Sequence, residues 1–177
     1  MNKQICKIMK LKRLSKHDKL ARILKYIFVN MCNIDQRKYY ILGSYALREH
    51  RAISDLDINI DATEFMKLST ACDKNTGQIQ IYNNQIRWFV DYTDTYNQLT
   101  GLNETDFSIE AFMKQPNEGF PNSTYSLNKL VRTNGLDIDN FGHQHFSLKT
   151  LLKWKKKMNR DKDKKDIIII KTIISEL

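Results

Sequence analysis

The sequence predicts an α/β (α+β) fold, with a mixed β-sheet flanked by helices and a helical segment at the C-terminus. Three observations lead to this prediction. Apolar residues recur at helical spacing in residues 15–31, they alternate with polar residues in 54–61, and two strand-like runs surround an Asn-Asn pair in 77–93. Helices and strands therefore follow one another along the chain, which is typical of a domain whose helices pack on a sheet.

The elements of the first half follow from local patterns. Ser15 is a plausible cap for the first helix, and a short apolar run ending at a glycine indicates a buried strand. In chain order we predict a helix in 15–31, a strand in 38–42, a short helix in "SYALREH", a strand in 54–61, a helix in 62–71 and a hairpin in 77–93.

The second half is less regular. In residues 94–145, "FSIEAF" and "STYSLNKLV" fit either strands or short helices. Ser147 is a candidate cap for a helix over 148–158. "KKDIIIIKTIISEL" predicts a last helix, although four successive isoleucines also suit a strand.

The length of 177 residues, with 41% hydrophobic and 28% charged residues, indicates one globular domain. We divide it into a basic N-terminal segment and helix (1–37), a core (38–146) and a basic helical segment that packs on the core (147–177). Three scattered cysteines, the absence of a secretory signal pattern and the lack of a membrane-length apolar stretch predict a cytoplasmic protein without a membrane partner.

The net charge of +9 is unevenly distributed. Residues 1–17 carry six basic groups and no acid, and residues 149–165 have a net charge of +7, so the remainder is acidic. This distribution suits a metal-and-phosphate site between surfaces that bind a polyanion. Each lysine run taken alone favours a solvated helix face over a binding surface.

The acidic middle contains two aspartates on one strand. Asp55 and Asp57 project from the same face, where two carboxylates repel each other unless a divalent cation bridges them. Asp91 lies in an otherwise apolar run, where a carboxylate is costly unless it is paired or metal-bound. Three such carboxylates can hold two metal ions. The alternative is an ordinary solvent-facing pair and a salt-bridged strand residue.

The pair Gly43-Ser44 follows the first predicted strand. The glycine permits a tight turn and close approach of a phosphate, and the following helix start and serine hydroxyl supply hydrogen-bond donors. We therefore predict a triphosphate cradle at Gly43-Ser44 opposite a metal site at Asp55 and Asp57.

This combination of Gly-Ser, ten intervening residues, Asp-Leu-Asp and a later strand aspartate resembles the nucleotidyltransferase superfamily typified by DNA polymerase β. It is most similar to the small stand-alone, abortive-infection and antitoxin types. The resemblance implies transfer of a nucleoside monophosphate from an NTP, with two Mg²⁺ ions and Mn²⁺ as a substitute. Gly43 and Ser44 would bind the triphosphate, Asp55 and Asp57 the metals, and Asp91 would be the third ligand and the base.

A looser match lies in "LLKWKKKMNRDKDKKDI", which is similar to a lysine-bearing helix followed by arginine and Lys-Asp in several of these families. It implies nucleotide-binding roles for Lys153, Arg160 and Lys165 next to Asp166, with Lys149 as an alternative to Lys153. The resemblance covers residues 38–93 well and 148–170 loosely.

The acceptor is left open by the sequence. ATP is the nucleotide expected from the superfamily, and the basic flanks favour an RNA or tRNA end as acceptor. A protein hydroxyl is the alternative, as in antitoxins that adenylylate a partner. A small-molecule acceptor and a non-catalytic module that binds RNA or protein are further alternatives.

Five other residues attract interest, and four of them favour structural roles. His143 and His145 lack a third ligand nearby, which predicts a loop with two polar histidines rather than a metal site. Cys72 and Trp88 are expected to pack in the core. Trp154, which lies among lysines, is equally consistent with helix packing and with stacking on a base.

Overall fold

The computed structural model describes residues 16–50, 53, 55–72, 77–82, 85–100, 107–114 and 127–177. Its α-helices are α1 (Lys16–Leu24), α2 (Ala62–Cys72), α3 (Thr93–Thr100), α4 (Leu127–Asn134), α5 (Leu148–Met158) and α6 (Asp161–Glu176). Its strands are β1 (Tyr39–Ile41), β2 (Asp55–Ile60), β3 (Gln78–Tyr82), β4 (Gln85–Asp91), β5 (Ser108–Met113), β6 (Leu136–Ile138) and β7 (Gln144–Phe146). A π-helix, Lys25–Met31, continues α1, and 3₁₀ turns occupy Gln36–Lys38 and Gly43–Leu47.

The strands form one sheet in the order β3-β4-β5-β2-β1-β7-β6. β2 pairs parallel with β5 and antiparallel with β1, and β1 pairs parallel with β7. The remaining pairs, β3 with β4, β4 with β5 and β6 with β7, are antiparallel. The sheet is therefore mixed, and the predicted α/β class with C-terminal helices is confirmed.

The sheet separates two hydrophobic clusters. Tyr39 and Ile41 of β1 belong to the cluster that includes α1 and the π-helix, whereas Tyr40 and Leu42 belong to the cluster that includes α4, α5 and α6. Successive residues of a strand point to opposite faces, so the two clusters lie on opposite faces of the sheet. The C-terminal helices therefore cover the same face that carries the polar side of β2.

Several predicted elements are confirmed. Leu56, Ile58 and Ile60 are fully buried, as the alternation in 54–61 predicts. The hairpin is present, with Tyr82 opposite Gln85; its predicted turn residues, 83–84, lie outside the described residues. The isoleucine run lies in α6, where Ile170 is buried and Ile168 is exposed, as expected for a helix with one packed face. Ser147 caps α5, because its side chain accepts a hydrogen bond from the Thr150 N–H.

One prediction is confirmed in part and another is wrong. The short helix expected in "SYALREH" is present as a 3₁₀ helix, but it covers only Gly43–Leu47. The two histidines are not polar loop residues, since His143 is fully buried and His145 is buried on β7. The Nε2 of His143 lies 2.7 Å from the Ala21 carbonyl, which can only accept, so Nδ1 accepts from the Tyr39 hydroxyl at 2.6 Å. Burial lowers the pKa of His143, and the neutral ring joins α1 to the sheet.

The tryptophans pack in the two clusters. Trp88 is buried on β4 as predicted, and Trp154 packs edge-on against Phe146 with ring centroids 6.2 Å apart, which makes it a packing residue.

The basic segment 1–15, the Ser15 cap and the Cys72 side chain lie outside what the structure describes. Among the described helices, none combines the length and the apolar character that crossing a membrane requires.

Candidate active site

The predicted phosphate turn begins where β1 ends. The Leu42 N–H donates to the Asp57 carbonyl at 2.7 Å, and the chain then turns through Gly43 with a φ of +60°. A side chain is disfavoured in this left-handed conformation, so the backbone itself requires glycine here. A Cβ on Gly43 would lie 3.8 Å from the Asp57 Oδ2, so the turn faces that carboxylate. Gly43 and Asp57 are thus neighbours in space, as the sequence predicts.

Asp55 and Asp57 lie on the face of β2 that is covered by the C-terminal helices. Asp55 is exposed and Asp57 is partly buried. Burial, followed by the negative charges of Asp55 and Glu110, raises the pKa of Asp57 to about 7. Burial and the neighbouring carboxylates thus disfavour the ionised form of Asp57 more than the nearby charges of Lys162 and Arg160 favour it.

Glu110 is a site residue that the sequence analysis missed. It lies on β5, directly opposite Asp57 in the parallel register, so both side chains project from the same face. Glu110 also forms an ion pair with Arg87 at 2.8 Å. The Arg87 guanidinium in turn donates a 2.7 Å hydrogen bond to the Gln80 side chain, which orients it. The alternation of polar Ser108 and Glu110 with buried Ile109 and Ala111 was the available signal.

The structure does not bring Asp91 to the aspartate pair. Asp91 lies at the end of β4, opposite Ser108, and Ser108 is itself opposite Asp55. Asp91 is therefore two strands away from Asp55, about 10 Å across the sheet. Its Oδ1 accepts from the N–H and hydroxyl of Thr93, at 3.0 and 2.7 Å, and these bonds lower its pKa. Asp91 fixes the turn into α3.

The two halves of the predicted site line one cavity of about 440 Å³. We call it the DLD cavity, after the Asp55-Leu56-Asp57 strand. The turn and strand contribute Gly43, Ser44, Asp55 and Asp57, and the C-terminal segment contributes Arg160, Lys162 and Lys165. Residues more than 100 positions apart thus face the same space. The sequence analysis named Arg160 and Lys165 but not Lys162.

The predicted lysines of α5 are not in this cavity. Lys149 and Lys153 are exposed on the outer face of the helix, whereas Lys155 is 4% exposed and lines the cavity. The physical reason is helical spacing, because Lys155 follows the buried Leu151 by four residues and therefore lies on the packed face. That spacing was a signal that could have found Lys155.

Lys155 holds the C-terminal helices together beneath the phosphate turn. Its Nζ lies 2.8 Å from both the Asp163 Oδ1 and the Asp166 Oδ2, and 3.4 Å from the Ser44 Oγ. The Ser44 hydroxyl also donates to the Asp166 Oδ2 at 3.4 Å. A charged lysine between two carboxylates thus connects the Gly43–Leu47 turn with both α5 and α6.

Arg160 is fixed at the start of α6. Asn159 ends α5 in a left-handed conformation, with φ at 49°, and the Arg160 guanidinium then hydrogen-bonds Asp163 at 2.7 and 3.0 Å. Burial alone would raise the pKa of Asp163, but the hydrogen bonds from Arg160 and Lys155 lower it to about 2. The charges of Arg160 and Lys162 also act on Asp57, where they partly oppose its raised pKa.

Within the described parts of the chain, no three His, Cys, Asp or Glu side chains form a group that could hold a metal ion. The donors that the DLD cavity offers are the paired carboxylates Asp55 and Asp57. Carboxylate oxygens are the protein ligands that Mg²⁺ prefers, and Mg²⁺ takes its other ligands from substrate phosphates and water. The chemistry of this donor set therefore fits a magnesium ion that is bound together with a phosphorylated substrate.

No family model, curated protein or solved structure matches this chain. The functional conclusion is therefore drawn from the residues of the DLD cavity. A glycine turn, two carboxylates and cationic side chains from the C-terminal segment face one space. This arrangement offers separate places for phosphate oxygens and for divalent cations.

Proposed function

We propose that the protein is an Mg²⁺-dependent nucleotidyltransferase that moves a nucleoside monophosphate from an NTP, with ATP as the expected donor, to a hydroxyl acceptor. The observation that carries this proposal is the meeting of Gly43-Ser44, the aspartate pair and Arg160 in one cavity. Each half alone is common in proteins. Together they supply the hydrogen-bond donors, positive charges and metal ligands that a nucleoside triphosphate and its metal ions require.

The metal is expected at Asp55 and Asp57. Bound Mg²⁺ would supply the positive charge that stabilises the transferring phosphate and the leaving pyrophosphate. The raised pKa of Asp57 supports this assignment. Burial and the neighbouring negative charges disfavour its ionised form, and a bound cation would stabilise that form. Glu110 is our candidate for the third carboxylate beside the pair in place of Asp91, because it lies next to Asp57 in the sheet; since it is paired with Arg87, we assign it an effect on the charge of Asp57 rather than a role as metal ligand.

The other residues would bind and orient the nucleotide. The backbone at Gly43 lets phosphate oxygens approach closely, and Ser44 adds a hydroxyl whose position is set by Lys155 and Asp166. Arg160 and Lys165 line the opposite wall, where their charges would neutralise the triphosphate. Since Lys155 is already engaged by two carboxylates, we assign it a positioning role.

The basic ends of the chain favour a nucleic-acid acceptor, such as an RNA or tRNA end. The direct test incubates the protein with each α-labelled NTP, with Mg²⁺ or Mn²⁺, in the presence of total RNA and a whole-cell protein extract. Asp55→Ala/Asp57→Ala is the inactive variant, and Asp137→Ala, which alters an exposed strand aspartate outside the cavity, is the matched control.

We expect label in RNA with the wild type and with Asp137→Ala, and none with the double variant. Label that appears in protein would keep the chemistry and replace the acceptor by a protein hydroxyl. The absence of label from every acceptor, while ATP still binds, would overturn nucleotidyl transfer in favour of a binding module.

A further inference from the structure

A second cavity of about 610 Å³ lies at the other end of the central strands. Its position follows from β2, which runs from Asp55 to Ile60 and is followed by Asp61. The Asp61 N–H donates to the Lys38 carbonyl at 2.9 Å, just before β1 begins. Asp61 is four residues beyond Asp57, or about 13 Å along the strand. This far cavity is therefore distinct from the DLD cavity.

Basic side chains from separate elements meet at the far cavity. Lys38 precedes β1, Lys114 follows β5, and Arg132 lies near the end of α4. Asp61 lies between the two lysines, 3.7 Å from the Lys38 Nζ and 3.2 Å from the Lys114 Nζ. Arg37 also lines the cavity, but it is paired with Asp35 at 2.8 Å. The net charge of the far cavity is therefore +2 when Lys38, Lys114 and Arg132 are counted against Asp61.

A tyrosine with a buried hydroxyl lines the same cavity. Tyr40 is 6% exposed and its ring stacks with Phe146, yet its hydroxyl has no hydrogen-bond partner among the described residues. Burial, followed by the charge of Asp61, raises its pKa, so the phenol stays protonated and can donate. A buried donor without an acceptor costs free energy, which an anionic ligand would recover.

The remaining walls suit an anion with an apolar or aromatic neighbour. Ala62 and Thr63, the first residues of α2, line the cavity, and the N-terminus of a helix of eleven residues favours negative charge. Val131 and Leu136 form an apolar wall beside Arg132. The volume lies within the range of small-ligand sites, about 300–1,000 Å³.

We infer that the far cavity is a second phosphate-binding site, which holds a phosphate group with Lys38, Lys114, Arg132 and the Tyr40 hydroxyl. Phosphate fits the combination of excess positive charge, a protonated phenol and a helix N-terminus, because it offers several oxygens to donors on different sides. The phosphate can belong to a nucleotide or to the backbone of a nucleic-acid strand. The site does not depend on catalysis at the DLD cavity.

The test is a titration of the ¹⁵N-labelled full-length protein with inorganic phosphate at constant ionic strength, followed by the amide signals of Ala62, Thr63 and Gln144. We expect saturable shifts in the wild type. In Lys114→Met/Arg132→Met the affinity should fall about tenfold or more, since two charge-assisted contacts are lost. Lys171→Met, which removes an exposed lysine of α6, is the matched control and should bind as the wild type.

Tyr40→Phe removes only the hydroxyl and is expected to weaken binding about fivefold, the value of one hydrogen bond, without unfolding the protein. Parallel titrations with AMP and with a short oligoadenylate identify the source of the phosphate, since the physiological form should bind more tightly than inorganic phosphate.

Asp55→Ala/Asp57→Ala should retain these shifts, so a failure of nucleotidyl transfer and a failure of this site give different results. Equal binding by the wild type and by Lys114→Met/Arg132→Met would overturn the inference. Shifts confined to Gly43 and Ser44 would also overturn it.

Discussion

Two pairs of aspartates lie at or just behind the wall of the DLD cavity, and their surroundings are opposite. Asp163 and Asp166 share the buried ammonium of Lys155, and the pKa of Asp163 is held at about 2. No lysine within the described part of the chain is shared between Asp55 and Asp57 in this way, and the pKa of Asp57 is raised to about 7. The first pair is neutralised from within the protein, whereas the second is the pair at which we propose that a cation from outside the protein binds.

This difference separates a structural carboxylate pair from the pair that we propose to be functional. A buried ion pair with good geometry keeps both carboxylates charged and fixes the elements that carry them. Two neighbouring carboxylates without a cation of their own lower the stability of the fold. Such a pair persists where a bound metal ion or substrate offsets that cost.

Replacing the internal cation should have the largest effect. Lys155→Met removes the cation that Asp163 and Asp166 share and leaves Asp163 paired with Arg160 alone. Removing one partner of a buried ion pair typically costs about 3–5 kcal/mol. We expect this loss in the free energy of unfolding, measured by urea denaturation at pH 7. Lys156→Met, which alters the exposed neighbouring lysine, should change stability by less than about 0.5 kcal/mol. Equal losses in both variants would contradict a structural role for Lys155.

Asp57 should make the metal-free protein less stable as the pH rises. Its pKa is raised in the folded state, so its contribution to stability is fully present below pH 3.8 and is lost as the pH rises toward about 7. The loss is at most about 4 kcal/mol, and less to the extent that water screens the partly exposed side chain. Urea denaturation in EDTA at several pH values should show this loss in the wild type but not in Asp57→Asn.

Asp163 provides the comparison of opposite sign. Its pKa is lowered, so its contribution is present above pH 3.8 and is lost as the pH falls toward about 2. Asp163→Asn should therefore flatten the acid side of the stability profile, lower the stability between pH 4 and 7 by a constant amount and leave the slope in that range unchanged. If both aspartates shift the same side of the profile, the contrast between the two pairs is not supported.

Binding of Mg²⁺ should offset the free-energy cost of holding Asp55 and Asp57 side by side. Saturating Mg²⁺ at pH 7.5 is expected to stabilise the wild type by about 1–3 kcal/mol, because a ligand that binds only the folded state adds its binding free energy. Thermal unfolding with and without Mg²⁺ measures this gain. Asp55→Asn and Asp57→Asn should lose the gain, while Asp163→Asn should keep it. A gain that survives in all three variants would place the metal elsewhere.

Much of the sheet could be predicted because its signals are local. The alternation in β2 and the pairing of β3 with β4 depend on residues that are adjacent in sequence. The order of the strands could not be predicted, because β5 inserts between β4 and β2 although it follows β4 in the chain. That insertion separates Asp91 from the pair and places Glu110 beside it.

The C-terminal half of the site shows a similar limit. The basic character of 149–165 indicated phosphate binding, but it did not distinguish lysines on the two sides of α5. Helical spacing from Leu151 and Trp154 identifies Lys155 as the inward lysine. Its partners Asp163 and Asp166 depend on how α6 returns after the left-handed Asn159, which is a tertiary feature.

The smallest expected effect belongs to Asp91, and it decides which third carboxylate accompanies the pair. Asp91→Asn keeps the side-chain oxygen that accepts from Thr93, so label transfer from α-labelled ATP should stay near the wild-type level. Glu110→Gln removes a negative charge directly opposite Asp57 and should reduce both transfer and the stabilisation by Mg²⁺. Each variant is compared with the wild type for both quantities at the same Mg²⁺ concentration. Loss of transfer in Asp91→Asn with full activity in Glu110→Gln would instead make Asp91 the third carboxylate of the site. Asp91 would then have to move toward the aspartate pair when the nucleotide binds.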